Sequence, residues 1–447
     1  MQVKKFFQEY GRVIHKDICI TLLYSQMLVF KIITFPQILN MKRCYRYFVL
    51  LIITTSVVCC TSRSKDAICP IDSSNEYTTI NIDSAKKVEE LLCSSVLAPP
   101  RTIILETNDK CIIKDIHSID LFEDKLYILD SSGNKLYVFS INGSFLYSIG
   151  HRGKGRGEYT EISDFCIDRE NKYIYLWDPA MKTALKYDIQ SRKYITSIKV
   201  DIDGYDSYSL MYYNRKLYVN RTSTEIDEEN YLINEIEENS GQKIAKYLKA
   251  NEYNHGWNFP LRLQRRTFMA KNSSSPKFVE LFTDTIISFT ENGLRPAYVI
   301  KSKNFVKDDD ISSFIKTSQK SRDYNIFNLD DHLIFMPRCL FDMDNYVSFE
   351  MMSEKQLFYI LFNKKTKETL KSTLFTNDYI SSDCYIAANL FFCDDEGVIS
   401  VLRSDFIPHF KEEVVANGLL NKDIDNYDSL IQLEETANPV LFYHKYK

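Results

Sequence analysis

The strongest chemical motif in the sequence is a glycine-rich, cationic stretch at residues 148–159, SIGHRGKGRGEY. A stretch of this kind binds phosphate when a helix follows it, because backbone N–H groups and the helix dipole then face the anion. The residues that follow, TEISDFCID, alternate like a strand. Two interpretations remain. The glycines supply positive φ in a long connection between strands, or the loop binds an anion or acidic glycan through His151, Arg152, Lys154 and Arg156.

A second candidate lies at residues 251–266, NEYNHGWNFPLRLQRR. Aromatic and arginine side chains together are typical of recognition surfaces, and aromatic rings stack on sugar faces. The alternative is core packing with a solvated arginine edge. The residues that would bind a ligand here are His255, Trp257, Arg262 and Arg265.

Other chemistry finds little support in the sequence. The eleven cysteines form no CxxC pair, and the seven histidines suggest no Ser-His-Asp arrangement. The acidic runs at residues 307–310 (KDDD) and 393–396 (CDDE) could supply calcium ligands, but the expected reading is solvated turns. The sequence therefore predicts no cofactor, no metal and no catalytic residue, with the cysteines after Cys60 mostly buried thiols.

Composition places the chain among globular, β-rich proteins. Its 447 residues include 30 Tyr and 28 Phe, which favour pleated and half-buried surfaces. Residues 1–59 carry a net charge of +6, which leaves −10 for the remainder. An acidic body argues against nucleic acid as a partner, since such binding needs clustered cations.

The N-terminal region resembles a bacterial lipoprotein signal. Residues 41–59 begin with the basic MKRCYR, continue through an apolar run of signal-peptide length, and end at Cys59-Cys60. Cys60 fits acylation best, with Val57 three residues before it; Cys59 is the alternative. Cysteine directly before the acylated residue is a departure from the usual small residue. The expected partner of this end is the membrane.

Residues 1–40 lie upstream of a complete signal and contain a second apolar run. Either translation starts at Met41 and these residues are a mis-annotated extension, or they form a genuine membrane-inserted segment. Residues 60–76 are predicted to be a polar linker, and residues 77–447 the folded domain.

The folded domain repeats itself. Residues 125–150 (KLYILDSSGNKLYVFSINGSFLYSIG) align with residues 173–198 at a spacing of 48, and four weaker copies follow. Each unit reads as several short strands, with Asp130 and Asp178 at equivalent turns. Units near 45 residues with several strands predict an all-β, six-bladed propeller. Residues 404–420 predict a short helical insertion in the last blade. The final NPVLFYHKYK predicts a strand that closes the ring.

Three motifs resemble the six-bladed β-propeller lipoproteins of Bacteroides-type bacteria, with NHL-like repeats. These are the stretch that starts at Ser148, LFTDTIISFTENGLRPAYVI, and the closing ANPVLFYHKYK. The family usually has Pro where Arg156 stands. The resemblance implies a propeller at the cell envelope, lipid-anchored to the outer membrane. It supplies no catalytic residues, because the family has no established reaction.

The sequence thus favours a non-catalytic binding or scaffolding protein, with a glycan, small molecule or protein partner at the top face of the propeller. The alternative is a lyase or hydrolase that acts on a polysaccharide or peptide in the central channel. Paired carboxylates, or a histidine with arginine and tyrosine from separate blades, would distinguish the enzyme.

Overall fold

The chain folds into a six-bladed β-propeller, which confirms the predicted fold class. The computed structural model describes residues 67–68, 77–202, 207–221, 230–255, 267–321, 329–381 and 390–447. Each blade is a twisted antiparallel sheet, and the blades follow one another in chain order. The six units predicted from the repeat therefore correspond to the six blades.

The first three blades are built from consecutive strands, numbered 1 to 4 from the central channel outward. Blade 1 contains Ile116–Phe122, Lys125–Asp130, Lys135–Ser140 and Phe145–Ile149. Blade 2 contains Asp164–Asp168, Tyr173–Asp178, Thr183–Asp188 and Tyr194–Lys199. Blade 3 contains Leu210–Tyr213, Lys216–Asn220, Tyr231–Glu237 and Lys243–Lys249.

The remaining blades follow the same plan, except that the last one borrows its outer strand from the other end of the chain. Blade 4 contains Phe268–Met269, Lys277–Phe278, Thr285–Thr290 and Gly293–Lys301. Blade 5 contains Phe335–Asp342, Tyr346–Ser353, Gln356–Asn363 and Thr369–Ser372. Blade 6 contains Leu390–Cys393, Gly397–Leu402, Val440–Lys445 and Arg101–Ile104.

Apolar residues occur on both faces of the inner strands because each blade is covered on both sides. In blade 1, Leu126 and Ile128 pack toward blade 6, whereas Tyr127 and Leu129 pack toward blade 2. The described residues form one apolar cluster at each of the six junctions between neighbouring blades. Full burial of each large apolar side chain stabilises the ring by about 1.5–3 kcal/mol.

The ring closes where the two ends of the chain meet. Val440–Lys445 pairs with Gly397–Leu402 on one side and with Arg101–Ile104 on the other. The predicted closing strand is therefore confirmed, as the third strand of blade 6. The outermost strand of that blade comes from the N-terminal side. His444 is buried in the closing strand, between Ala98 and Asn377, and burial lowers the pKa of its imidazole to about 4.

A segment before blade 1 runs around the outside of the propeller; we call it the belt. It adds short parallel strands to the outer edges of blades 3, 4 and 5. A further short strand pairs with Phe375–Thr376 beyond blade 5. The belt strands are Ala67–Ile68, Thr78–Asn81, Lys86–Lys87 and Leu91–Leu92. They pair with backbone N–H and C=O groups at the outer blade edges, which could otherwise pair with other chains.

Helices are few in the described part of the chain. The predicted insertion is confirmed: Ser404–Phe406, Ile407–Phe410 and Lys411–Val415 form one helical stretch between two strands of blade 6, and Tyr427–Ile431 follows. Ala250–Tyr253 is a single turn. Within the described ranges, no helix has the length and apolar character needed to cross a membrane.

The helix Asp308–Ser321 was not predicted. The acidic run KDDD begins it, so these carboxylates lie in its first turn, where the helix dipole favours negative charge. The Asp310 carboxylate also accepts the Lys307 N–H at 2.9 Å.

Side-chain amides and carboxylates fix the connections between blades. At the end of strand 2, Asp130 accepts the N–H groups of Lys114 and Asp115, and Asp178 accepts those of Thr160, Glu161 and Met181. Asparagines that precede strand 3 act in the same way. Asn438 is buried; its oxygen accepts the Ile113 N–H, and its NH₂ group donates to the carbonyls of Glu106 and Cys111.

We expect Asn438→Ala to lower the free energy of unfolding by about 2–4 kcal/mol, because three backbone groups, two of them buried, lose their partners. Chemical denaturation measures the effect. Asn417→Ala is the matched control, since its amide also donates to two carbonyls but is exposed; we expect a loss below about 1 kcal/mol. Equal losses would show that Asn438 does not hold the connection into blade 1.

Candidate functional site

The glycine-rich stretch connects strand 4 of blade 1 to strand 1 of blade 2. We call the side of the propeller with these inter-blade crossings the top face. The crossing has no helix after it, because Asp164–Asp168 is a strand. The interpretation as a connection between strands is confirmed, and the geometry of a phosphate loop is not present.

The crossing folds around its own carboxylate. Glu158 Oε2 accepts the Gly155 N–H at 2.7 Å, and Glu158 Oε1 lies 2.8 Å from His151 Nε2. Two hydrogen bonds lower the pKa of Glu158 below its ordinary value. The bond from the Gly155 N–H has the larger effect, and the bond from His151 the next largest. One of the side chains expected to bind an external anion, His151, is therefore already engaged by an internal one.

The four glycines of the crossing serve two purposes. Gly150 and Gly157 have positive φ, at 67° and 77°, as predicted. Gly153 and Gly155 do not, so the expectation of positive φ is wrong for these two. They are small because Glu158 lies against them: a Cβ atom on Gly153 would lie 1.9 Å from Glu158 Oε2, and one on Gly155 would lie 3.1 Å from it.

The remaining cations of the crossing are exposed. The Arg156 guanidinium lies over the Tyr194 ring, 5.8 Å from its centroid. Arg152 and Lys154 lie at the surface. These three side chains form a basic surface on a body whose net charge is acidic, and they remain candidates for binding an anionic group.

The second predicted site is only partly described. His255 follows the short helix after blade 3, and its Nδ1 contacts a carboxylate oxygen of Asp308, at the start of the Asp308–Ser321 helix. Its described ion-pair partner is therefore in the blade 4–5 connection and not in the glycine-rich crossing. Trp257, Arg262 and Arg265 lie outside the described residues, as do Cys59 and Cys60.

Sequence reasoning missed the feature that fills the opposite mouth of the channel. The hairpin between strands 1 and 2 of blade 4, residues 270–276, reaches across the bottom face. The Ser274 N–H and hydroxyl donate to Asp395 of blade 6, and its carbonyl accepts the Tyr213 hydroxyl of blade 3 at 3.5 Å. The only sequence signal was a polar, proline-terminated loop, KNSSSP, longer than the corresponding turns elsewhere.

Lysine and arginine neutralise buried acids inside the channel. Lys271 Nζ lies 2.5 Å from Asp164 Oδ2 and also donates to the Phe165 carbonyl. Arg169 lies 2.9 Å from Asp120 Oδ1. Burial raises the pKa of Asp120, and Arg169 opposes that effect. Asp164 Oδ1 accepts the Phe165 N–H of its own strand, and Oδ2 also accepts the Leu210 N–H, so Oδ2 joins blade 2 to blades 3 and 4.

Two cavities lined by described residues adjoin these contacts. An open one of about 420 Å³ lies at the bottom face, between Arg169, Arg215 and Ser273. A cavity of about 50 Å³ lies between Asp120, Lys271, Phe268 and Cys393, which is room for water but not for a sugar ring. Acids from separate blades do meet here, as an enzyme would require, but cations hold them. Within the described ranges no three His, Cys, Asp or Glu side chains are placed to hold a metal ion.

The cysteines and the acidic CDDE run have surroundings typical of structural residues. Burial raises the pKa of the thiols of Cys93 and Cys166, and Cys111 and Cys393 are also buried. In the CDDE run, Asp394 accepts the N–H groups of Glu396 and Gly397, which is a turn contact. Burial also raises the pKa of Glu280 to about 7; it lies in a turn of blade 4, beside the apolar Val279 and Leu281.

We expect Gly153→Ala to destabilise the protein by about 1–3 kcal/mol, because its methyl group would overlap the Glu158 carboxylate. Combining it with Glu158→Ala removes the overlap, so the two effects should not add. Thermal or chemical unfolding of the single and double variants measures this coupling. Additive losses for Gly153 and Glu158 would contradict the proposed packing.

Arg152→Ala with Lys154→Ala should leave the melting temperature nearly unchanged, since exposed charges contribute little.

The fold has relatives among known proteins. A solved structure from Bacteroides fragilis, described as a "Putative exported protein", is 19% identical, with a TM-score of 0.62 over 83% of this chain and 100% of that one. A member of the DUF4221 family from Bacteroides vulgatus is 12% identical, with a TM-score of 0.44 over 78% and 98%. No curated protein sequence matches the chain. The family model described as "Domain of unknown function (DUF4934)" matches residues 77–445, and the chain belongs to that family.

Proposed function

We propose that this protein is a lipid-anchored propeller of the cell envelope. It acts as a binding or scaffolding component and not as a catalyst. The observation that carries the proposal is the bottom mouth of the channel. The protein's own loop at residues 270–276 fills it, and Lys271 and Arg169 hold the buried acids of the channel. Such a channel serves to join blades, which leaves the outer surfaces for ligands.

The envelope location rests on two independent observations. The structural relative from Bacteroides fragilis is described as exported. The sequence at residues 41–60 combines a basic start, an apolar run and a terminal cysteine. We infer that Cys60 is acylated, with Cys59 as the alternative, and that the anchor holds the propeller at the outer membrane.

The ligand surface is the top face. Arg152, Lys154 and Arg156 are the exposed cations of the blade 1–2 crossing, and the partner group they fit is anionic. An acidic glycan and an acidic protein segment share that chemistry. His255, Trp257, Arg262 and Arg265 are further candidates at the connection from blade 3 to blade 4.

Anchoring is tested by replacing the cysteines one at a time. With Cys60→Ala, we expect loss of an incorporated fatty-acid label and release from the membrane fraction, because two acyl chains provide stable membrane binding. Cys59→Ala should retain both. Label incorporation and mass of the mature chain are the measurements. If Cys59→Ala loses the label instead, the anchor is Cys59; if neither does, the chain is not a lipoprotein.

Binding without turnover is tested with polygalacturonate and with acidic peptides on the detergent-solubilised protein. We expect saturable binding that weakens about tenfold in Arg152→Ala with Lys154→Ala, as charge-assisted bonds are lost. Lys110→Ala with Lys365→Ala is the control, because those lysines are equally exposed but lie elsewhere. New reducing ends or unsaturated products would identify a hydrolase or lyase. Equal binding by the Arg152/Lys154 variant and the Lys110/Lys365 control would show that the blade 1–2 crossing is not part of the binding site.

A further inference from the structure

The belt shows how this propeller accepts an added strand. In blade 4, Thr78–Asn81 pairs in parallel with residues 298–301, directly after a β-bulge at Ala297. In blade 3, Ala67 pairs with Ala245, directly after a bulge at Ile244. In blades 3 and 4 the receiving position is thus the end of strand 4, beyond its bulge, whereas strand 4 of blade 5 receives Lys86–Lys87 without a bulge.

An acidic residue completes the contact in two of these blades. Asp83 follows the blade 4 belt strand by two residues and accepts the Ser302 hydroxyl and the Lys303 N–H at 2.6 and 2.8 Å. Both hydrogen bonds lower the pKa of Asp83, and the bond from Ser302 has a larger effect than the bond from the Lys303 N–H. Beyond blade 5, Glu90 accepts the Thr376 hydroxyl at 2.9 Å. Asp83 thus binds the first residues after its receiving strand, whereas Glu90 precedes its belt strand and binds the last residue of the strand Phe375–Thr376.

Neighbouring hairpins occupy the equivalent position in two other blades. The Asp201 N–H, two residues past strand 4 of blade 2, donates to the Gly241 carbonyl at 3.1 Å. The Glu106 N–H, two residues past the outer strand of blade 6, donates to the Gly143 carbonyl at 2.8 Å. In both cases a glycine allows the hairpin to lie directly on the strand end, because a Cβ atom there would be 2.0 Å from a carbonyl oxygen.

In the described part of the chain, blade 1 has neither a belt strand nor a glycine-containing hairpin bound past its strand end, although blade 2 shares its exposed bulge residue, since Ile195 is 44% exposed. The hairpin that follows it in blade 2 has Ser191 where blade 1 has Gly143, 48 residues earlier. The bulge residue of its outer strand, Leu146, is 42% exposed, and Ser148 is also exposed. Among the described residues, no strand pairs with the outer side of Phe145–Ile149. Past its end come Arg152 and Lys154, where blade 4 has the backbone that holds Asp83.

We propose that the outer edge of blade 1, from Leu146 to Gly150, binds an extended segment of a partner protein as a parallel fifth strand, with an acidic residue two positions past that strand held by Arg152 and Lys154. Main-chain hydrogen bonds would supply affinity, and the bulge and the cations would supply specificity. This inference deepens the proposed function, since it names the kind of partner that the crossing recognises.

The chain's own N-terminal residues fit this position poorly. Residues 61–66, TSRSKD, carry a net positive charge, the same sign as the crossing. The shortest step of the belt between neighbouring blades uses four residues, between Asn81 and Lys86, and the step from Ile68 to Thr78 uses nine. From Ala67, blade 1 is two blades away, which is beyond the reach of the residues between Ala67 and the proposed acylation site at Cys60.

The probe is a capped peptide with the belt sequence of residues 77–84, YTTINIDS, added to the full chain in detergent. We expect amide hydrogen exchange at residues 145–150 to slow by about fivefold or more at saturation, as new ladder bonds form. The peptide with Asp83→Lys should bind about tenfold more weakly. Arg152→Ala with Lys154→Ala in the protein should remove the preference for the acidic peptide, whereas Lys110→Ala with Lys365→Ala should preserve it.

Four results would overturn the inference. The amides of residues 145–150 could already be slow in the free protein, which would mean that the chain covers its own edge. They could slow only as protein concentration rises, which would indicate a second copy. Faster exchange at residues 78–81 with no protection of blade 1 would show that the peptide only displaces the belt. Binding through Arg152 and Lys154 with no protection of blade 1 would refute the added strand while leaving the proposed function standing.

Discussion

The structure depends on the fact that each blade has two apolar faces and neither can cover itself. Leu126 and Tyr127, neighbours in one strand, pack into different inter-blade clusters. A linear stack of such sheets would leave two faces in water, so only a closed ring buries them all. The pairing of Val440–Lys445 with Arg101–Ile104 is what makes the ring closed. The buried amide of Asn438 then fixes the backbone that leaves this junction for blade 1.

Ring closure buries the apolar faces of the blades, but it does not pair their outer strand edges. The molecule handles those edges in two ways among the described residues. Belt strands pair with blades 3, 4 and 5, and glycine-containing hairpins lie on the strand ends of blades 2 and 6. The bottom mouth of the channel is handled differently again, by a polar loop whose Lys271 and Ser274 contact blades 2 and 6. Polar contacts therefore join elements that the apolar clusters leave apart.

Much of this could be predicted from the sequence because repetition is a local signal. The 48-residue spacing between Asp130 and Asp178 revealed the blades, and both carboxylates do bind connecting backbone. The belt could not be predicted, since strands of two to four residues such as Lys86–Lys87 carry no periodicity and are strands only because an edge receives them. The small size of Gly153 was equally hidden, because its cause is the Glu158 carboxylate, which folds back across the loop. The contacts of residues 270–276 join four blades, and no local pattern encodes such convergence.

The order of the belt has a mechanical consequence for the proposed N-terminal anchor. A pulling force transmitted along the chain would reach Ala67–Ile68 first, a ladder of only two residues, then the four-residue pair of Thr78–Asn81. The ring-closing strand Arg101–Ile104 would be the last to feel the load. Weak pairs would therefore yield in sequence and lengthen the tether, and the propeller itself would remain closed while its distance from the attachment point increased.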